Sequence, residues 1–182
     1  MDDVFSYYDT GVMSARASYD DLDHLDVYRT FDTAGRGDEV FTFDDNGITT
    51  TRTTYGDDGL VDFYRIFDEV GRMDSQWLFN DLGWADYRAS YDDAGRADVL
   101  YHLTASGRAD GALFFNDTSI RPYQESFYYA DGSSKTHYLD GNGRVTGGAD
   151  YGITGQLTGE WTASGGGFMF NFTIPVDFDF FA

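Results

Sequence analysis

The chain has 182 residues, enough for one sizeable domain, and 32 acidic against 12 basic side chains give it a formal net charge of −20. Such a charge repels phosphate backbones and anionic lipid, which argues against nucleic-acid binding and makes membrane docking unfavourable. The absence of cysteine excludes disulfides and thiolate metal sites.

A 12-residue repeat runs through most of the chain. An aromatic residue or leucine marks each unit, and in most units a glycine follows four residues later. A period this regular indicates a repeat architecture in which each unit contacts its neighbours. The aromatic column comprises Tyr7, Tyr19, Phe31, Phe43, Tyr55, Phe67, Phe79, Tyr91, Leu103, Phe115, Phe127, Leu139 and Tyr151, and the glycine column is broken at Asp23, Ser119 and Asp131.

Each unit is predicted to form one strand of about seven residues and one tight turn, because apolar and polar residues alternate between the turns. Residues 61–67 and 73–79 show this alternation clearly. In the turn, the side chain of Asp32 can accept hydrogen bonds from backbone amides, and Gly35 can supply the left-handed conformation of a three-residue loop. We therefore expect Asp32 to lie opposite Arg36.

The odd loop length predicts that the aromatic column stays on one face of every strand. The opposite face is predicted to carry cross-strand ion pairs between an arginine column and an aspartate column. These columns are Arg36, Arg72, Arg96 and Arg108, and Asp26, Asp38, Asp62, Asp74, Asp86, Asp98 and Asp110.

The predicted fold class is all-β: an antiparallel meander of about 12 to 14 strand-turn repeats, closed as a barrel, a sandwich or a β-spiral. Residues 1–160 form the repeat array. Residues 161–182 are predicted to be a glycine-rich linker followed by one or more capping strands, because the alternation resumes at residues 168–174 after Gly165, Gly166 and Gly167.

The commonest unit, aromatic-Asp-x-x-Gly-Arg, resembles the YD repeat of bacterial Rhs-type proteins and teneurin-like shells. The match is strongest at residues 91–96, 31–36 and 67–72, and weaker copies lie at 43–48, 79–84 and 139–144. The resemblance covers about 150 residues. It implies a secreted bacterial β-repeat protein.

Aspartates at the turns are candidate calcium ligands, because several carboxylate oxygens within one loop suit a hard cation. The alternative, which the residues favour, is that these aspartates only form the turns. Ca²⁺ is therefore an optional ligand, and no cofactor is expected to be required. The candidates are Asp44, Asp45, Asn46, Asp57, Asp58, Asp92 and Asp93.

Tyrosine and tryptophan on a flat sheet can stack on sugar rings or on a partner protein. The candidates for such a surface are Tyr28, Tyr64, Trp84 and Tyr128. The alternative is that they pack against a second layer or a neighbouring subunit.

No catalytic residue is predicted. His24, His102 and His137 stand alone without metal-ligand spacing, and neither a nucleophile elbow nor a phosphate-binding loop is present. Only residues 121–123 and 128–137 depart enough from the repeat to form an irregular site.

The sequence therefore predicts a non-enzymatic structural or adhesive protein of the bacterial cell surface or exterior, with self-assembly as a further expectation. Its partner would be itself, another protein or a glycan surface. No N-terminal signal peptide is recognisable. The alternatives are a calcium-stabilised folding or secretion module of a larger exported effector, and an outer-membrane β-barrel.

Overall fold

The computed structural model describes residues 2–163 and shows an all-β protein with fourteen strands. No helix that could cross a membrane occurs among these residues. The strands are β1 Asp2–Tyr7, β2 Met13–Tyr19, β3 Leu25–Phe31, β4 Gly37–Phe43, β5 Thr49–Tyr55, β6 Val61–Phe67, β7 Met73–Phe79, β8 Ala85–Tyr91, β9 Ala97–Leu103, β10 Ala109–Asn116, β11 Ser119–Tyr128, β12 Ser134–Leu139, β13 Val145–Tyr151 and β14 Leu157–Thr162.

The strands pair in chain order from β1 to β14 in one antiparallel sheet, which confirms the predicted meander and its strand number. Within residues 2–163, β1 and β14 are the two edges and do not pair with each other, so the barrel, one of the three predicted closures, is not formed there. The chain separates into two compact units, residues 1–86 and a second unit that begins at Tyr87. The predicted capping strand at residues 168–174 lies outside the described residues.

The turns have the predicted chemistry. In the loop after β3, the amide of Asp32 donates to the carbonyl of Arg36 at 2.9 Å, and Gly35 adopts a φ of 81°. Asp32 Oδ1 accepts hydrogen bonds from the amides of Ala34 and Arg36, at 2.8 and 2.9 Å. Asp32 therefore lies opposite Arg36, as expected.

The three turns that lack glycine at the column position have different backbone conformations. Asp23 takes the left-handed conformation itself, with a φ of 64°. Asn116 pairs with Ser119, so that hairpin has a two-residue loop. In the following hairpin the loop is displaced by one residue, and Gly132 rather than Asp131 has the positive φ.

A second irregularity follows the turn in most hairpins. Tyr55 pairs with Val61, whereas Thr54 pairs with Phe63, so Asp62 is an extra residue that forms a β-bulge. The same register shift occurs after other turns, at the second residue of the following strand. The aspartate at that position therefore has no cross-strand partner on the preceding strand. The aspartates at these shifts are Asp26, Asp62, Asp74, Asp98 and Asp110.

The prediction that the aromatic column stays on one face of every strand is wrong. The odd loop length shifts the register by one residue, and the bulge shifts it by one more. Tyr28 pairs with Phe41 and Val27 pairs with Thr42, so Phe41 lies on the face opposite to Val27. The apolar residues therefore change faces from one strand to the next, and both faces contribute to the core.

Burial is greater in the second unit. Leu100 and Leu113 are cross-strand partners, and both are fully buried. Ala112, on the other face of β10, is fully buried as well, so this part of the sheet is covered on both faces. The buried apolar residues are Ala15, Met73 and Leu78 in the first unit, and Ala89, Tyr91, Ala97, Leu100, Ala112, Leu113, Phe115, Leu139, Val145 and Ala149 in the second.

Gly148 on β13 lies under the indole of its cross-strand partner Trp161. A Cβ at Gly148 would be 2.7 Å from Trp161 Cζ2 and would also collide with the carbonyl oxygen of Thr136. Glycine is therefore required here for close approach, and the aromatic ring covers the exposed backbone.

We expect Gly148→Ala to lower the free energy of unfolding by about 1–3 kcal/mol, because the added methyl group must displace backbone. The control is Gly159→Ala on β14, where the nearest atom is 3.9 Å away. Urea denaturation followed by tryptophan fluorescence measures both. Equal losses in the two variants would contradict the proposed close contact.

Candidate functional site

The loops carry the polar chemistry of this chain. Successive hairpin loops of a meander lie at opposite ends of the strands, so loops 24 residues apart, such as those beginning at Asp32 and Gly56, are neighbours on the same edge. The residue after the turn glycine reaches from one loop to the next along that edge.

Arginine at this position forms what we call a loop clasp. Arg36 Nε donates to Asp32 Oδ2 at 2.7 Å, and its NH2 nitrogen lies 3.1 Å from Asp57 Oδ1 on the next loop. Arg96 repeats the arrangement with Asp92 at 2.6 Å and with the carbonyl of Asp117 at 2.6 Å. Each guanidinium therefore bridges two loops.

Apolar residues replace arginine at other loops and pack against the next turn glycine. Val12, Ile48 and Leu60 lie 3.4, 3.5 and 3.8 Å from the Cβ positions of the glycines at 35, 71 and 83. The residue after the turn glycine thus contacts the next loop in each of these cases, through an ion pair or hydrogen bond where it is arginine and through apolar packing where it is valine, isoleucine or leucine.

The expected cross-strand ladder of arginine and aspartate columns is wrong. Arg36, Arg72 and Arg96 pair with the aspartate of their own turn, at 2.7, 2.7 and 2.6 Å. Their preference follows from the bulge, which removes the column aspartates from the regular ladder positions while the turn aspartate lies directly opposite.

Within residues 2–163, two groups of side chains come close enough to hold a metal ion. They are Asp20, His24 and Asp45 in the first unit, and Asp92, Asp98 and Asp117 in the second, each with ligand atoms within 4.8 Å of one another. Both groups join two neighbouring loops, a juxtaposition that the spacing in the sequence does not reveal.

The structure places the seven calcium candidates in different surroundings, some as turn formers and some in the groups that join two loops. Asp44 Oδ1 accepts from the amides of Asn46 and Ile48, as a turn former does. Asp45 faces Asp20 and His24 instead. Of the others, Asp57 contacts Arg36, Asp58 accepts from the amide of Leu60, Asp92 belongs to the second group, and Asp93 lies at an exposed loop tip.

The surroundings of some aspartates lower their pKa, and those of others raise it. Backbone amides lower the pKa of Asp32 and Asp44, so these groups add stability above the ordinary pKa of aspartate, and this stability is lost as the pH falls through their lowered values. Burial, followed by neighbouring carboxylates, raises the pKa of Asp62 and Asp98. Their contribution is present at low pH and is lost as the pH rises through the raised values.

Most aromatic candidates are half-buried. The ring centroids of Tyr28 and Phe41 are 6.3 Å apart, and those of Tyr64 and Trp77 are 5.6 Å apart, so both tyrosines pack against cross-strand partners. Burial raises the pKa of Tyr128. Among these four candidates only Trp84 is in the exposed class, with 52% of its surface accessible.

Sequence reasoning missed a buried acid in the second unit. Glu125 is 2% exposed, its Oε2 lies 3.3 Å from His137 Nδ1, and its Oε1 has no hydrogen-bond partner among residues 2–163. Burial raises the pKa of this carboxyl group. The edges of aromatic rings surround the imidazole, since Phe127 and Trp161 lie 5.3 and 5.7 Å from it. The one available signal was a glutamate at a strand position in a chain whose acids are mainly aspartate.

The irregular segment at residues 121–123 borders a groove of about 360 Å³, whose lining includes Arg96, Asp117 and Arg121. Arg121 donates to the carbonyl of Gly141 at 2.6 Å. Two arginines of the groove thus serve contacts between loops, and no group in it is placed as a nucleophile beside a base.

No family model and no curated protein sequence matches the chain. Among solved structures, the accessory secretory proteins 1, 2 and 3 of Streptococcus pneumoniae align at 15% identity and a TM-score of 0.42, over 60% of this chain and 20% of that one. A GtfA/B complex bound to UDP and GlcNAc aligns at 11% identity and a TM-score of 0.40, over 51% and 20%. A Tc holotoxin pore of Photorhabdus luminescens aligns at 10% identity and a TM-score of 0.17, over 83% and 13%.

The chain spans one fifth or less of the length of these three structures. All three TM-scores lie below 0.5, so the likenesses assign neither a family nor a function. The function proposed below rests on the geometry of this chain.

The repeat allows a direct test of the loop clasp at His24. His24 occupies the position that Arg36 and Arg96 hold in their loops, but its Nδ1 pairs only with Asp20, at 3.2 Å, and no ion pair joins it to Asp45 within residues 2–163. An arginine at this position would reach both carboxylates.

We expect His24→Arg to raise the free energy of unfolding by about 0.2–1 kcal/mol, the usual range for an exposed ion pair. Thermal unfolding at neutral pH measures the change. Adding Asp45→Asn completes a double-mutant cycle that isolates the contact between loops. If His24→Arg raises the free energy of unfolding by the same amount in the Asp45→Asn background, the contact with Asp45 is not the cause of the stabilisation.

Proposed function

We propose that this chain is a non-catalytic structural or adhesive β-repeat protein of the bacterial exterior that associates with itself through the edges of its sheet. The observation that carries the proposal is strand β1, all six residues of which are exposed. Val4, Phe5 and Tyr7 are 57%, 47% and 62% exposed, on a strand whose one pairing partner within residues 2–163 is β2. An edge of this kind is a template for another strand.

The repeat itself supports a structural role. Each hairpin fixes its own register through a turn and a bulge, and the loop contacts recur along the edges. Stability in such an array is shared among neighbouring units rather than concentrated at one site. The resemblance to YD repeats agrees with secretion from a bacterium, and the proposal includes that location.

The expected result for the double variant Val4→Glu/Tyr7→Glu is loss of self-association, because two further anions on an edge strand that already carries Asp2 and Asp3 repel the same strand of a second copy. Sedimentation velocity over a range of protein concentrations measures the effect. The control is Leu22→Glu, which places an anion on a loop residue that is 75% exposed. A wild-type protein that stays monomeric at high concentration would sink the self-association proposal.

A calcium-stabilised folding or secretion module is the second candidate function. The observation that favours it is the group Asp92, Asp98 and Asp117, whose ligand atoms lie within 4.8 Å of one another. The mutual repulsion of these carboxylates is also expressed in the raised pKa of Asp98, which follows from burial and then from Asp92 and Asp117. A divalent cation would relieve that repulsion in competition with Arg96, whose guanidinium lies 2.6 Å from Asp92 Oδ2 and 3.9 Å from Asp117 Oδ2.

The calcium test is a melting experiment in millimolar Ca²⁺ and in EDTA at equal ionic strength. Calcium at about 100 times its dissociation constant adds about 2.7 kcal/mol, which raises the melting temperature by about 5–10 °C for a chain of this size. In EDTA we expect Asp98→Asn to melt no lower than the wild type, since the substitution removes a repelled charge. In Ca²⁺ we expect the order to reverse.

Asp74→Asn is the matched control, because Asp74 is also an aspartate at a bulge but belongs to neither group of carboxylates. It should respond to calcium as the wild type does. Equal melting temperatures of the wild type in Ca²⁺ and EDTA would reject this second function and leave the structural one standing.

A further inference from the structure

Two loops of the first unit stack on one edge of the sheet. They are residues 56–60 and 80–84, each closed by a 2.9 Å hydrogen bond between the amide of its first residue and the carbonyl of its last. The side chain of Leu60 lies on Gly83, 3.8 Å from where a Cβ would be. Leu82 and Trp84 flank that glycine in sequence.

Large apolar side chains are exposed on these loops. Leu60, Leu82 and Trp84 are 38%, 77% and 52% exposed. We call these three residues the loop patch. Single exposed apolar residues are ordinary, but a group of them that includes a tryptophan is typical of a binding surface.

Carboxylates border the loop patch. Asp57, Asp58 and Asp81 belong to the same two loops, and Asp62 is the bulge residue beside them. Asp58 Oδ1 and Asp62 Oδ1 lie 3.1 and 3.0 Å from the Cβ position of Gly56, so both face the same spot.

These carboxylates are poorly neutralised by the chain itself. Arg36 reaches Asp57, but no cationic side chain of the described residues pairs with Asp58, Asp62 or Asp81. Burial, and then the charges of Asp58, Asp81 and Asp57, raise the pKa of Asp62. The border of the loop patch therefore carries a local negative charge that added positive charge would offset.

The chemistry of the surface decides among occupants. A second copy of this chain would bring another net charge of −20 toward the carboxylates, and an anionic surface would be repelled in the same way. A bare divalent cation would neutralise the border but would leave Trp84 and Leu82 exposed to water. A polypeptide that carries cations beside apolar side chains would both neutralise the carboxylates at the border and cover the apolar side chains of the loop patch.

We propose that the loop patch binds a protein segment in which lysine or arginine residues flank large apolar side chains. This inference deepens the adhesive part of the proposed function by naming the chemistry of the partner. It does not depend on self-association through β1.

The test uses the whole chain and a fluorescein-labelled synthetic peptide of alternating lysine and leucine, followed by fluorescence anisotropy. Two further peptides, of alternating lysine and serine and of alternating glutamate and leucine, separate charge from apolar contact. We expect the lysine-leucine peptide to bind at least tenfold more tightly than either, and its affinity to fall with added salt.

Two sets of variants localise the binding. Leu82→Ser/Trp84→Ser should weaken the lysine-leucine peptide at least tenfold, since anchors of this kind dominate interfaces. Its matched control is Leu22→Ser/Val70→Ser, which removes apolar loop residues that are 75% and 65% exposed away from the loop patch. Asp58→Asn/Asp81→Asn should weaken binding and flatten the salt dependence, whereas Asp74→Asn, at a bulge outside both groups of possible metal ligands, should leave both unchanged.

Equal binding by the patch variants and their controls would overturn the inference, because the peptide would then be held only by the overall negative charge. Equal affinity for the lysine-serine peptide would overturn it as well. Thermal unfolding of each variant confirms that it is folded. Self-association is measured separately with the β1 variants. A failure of peptide binding therefore contradicts the loop-patch inference and leaves the structural proposal intact. A wild type that is monomeric but binds the peptide contradicts self-association and leaves the loop-patch inference intact.

Discussion

Register in this sheet depends on two backbone irregularities that recur in most hairpins. The turn aspartate accepts two amide hydrogen bonds while a residue with positive φ closes the loop, as at Asp32 and Gly35. A β-bulge then adds one residue to the following strand, as at Asp62. Together they shift the ladder twice, so each hairpin fixes its own pairing without help from distant parts of the chain.

The double shift explains why this sheet has no single apolar face. Phe41 follows Tyr28 on one face while Val27 lies on the other, and buried residues such as Ala112 and Leu113 are neighbours on opposite faces of one strand. Apolar contact is distributed over both faces, which suits an array in which each strand packs chiefly with its neighbours.

Charged and polar contacts, in contrast, are concentrated on the loop edges. Loops that are 24 residues apart meet there, and the residue after the turn glycine decides what the contact is made of. Arg36 binds two carboxylates, Leu60 packs on a glycine, and His24 pairs with Asp20 alone. Within residues 2–163, the same backbone conformation therefore carries neutralised carboxylates at one loop and unpaired carboxylates beside apolar side chains at another. This variation on a constant frame separates the proposed partner surface from the rest of the repeat.

The strand-turn repeat, the role of Asp32 and the left-handed Gly35 could be predicted from the sequence because turn chemistry is local and involves residues at most four apart. The bulge at Asp62 could not, since aspartate at that position is equally compatible with a regular ladder. The approach of Asp45 to His24, which lies 21 residues earlier, and the burial of Glu125 beside His137 depend on which strands become neighbours and in which register. A one-residue shift moves every side chain to the other face, so only the tertiary structure decided which of the many aspartates are neutralised and which remain exposed to solvent.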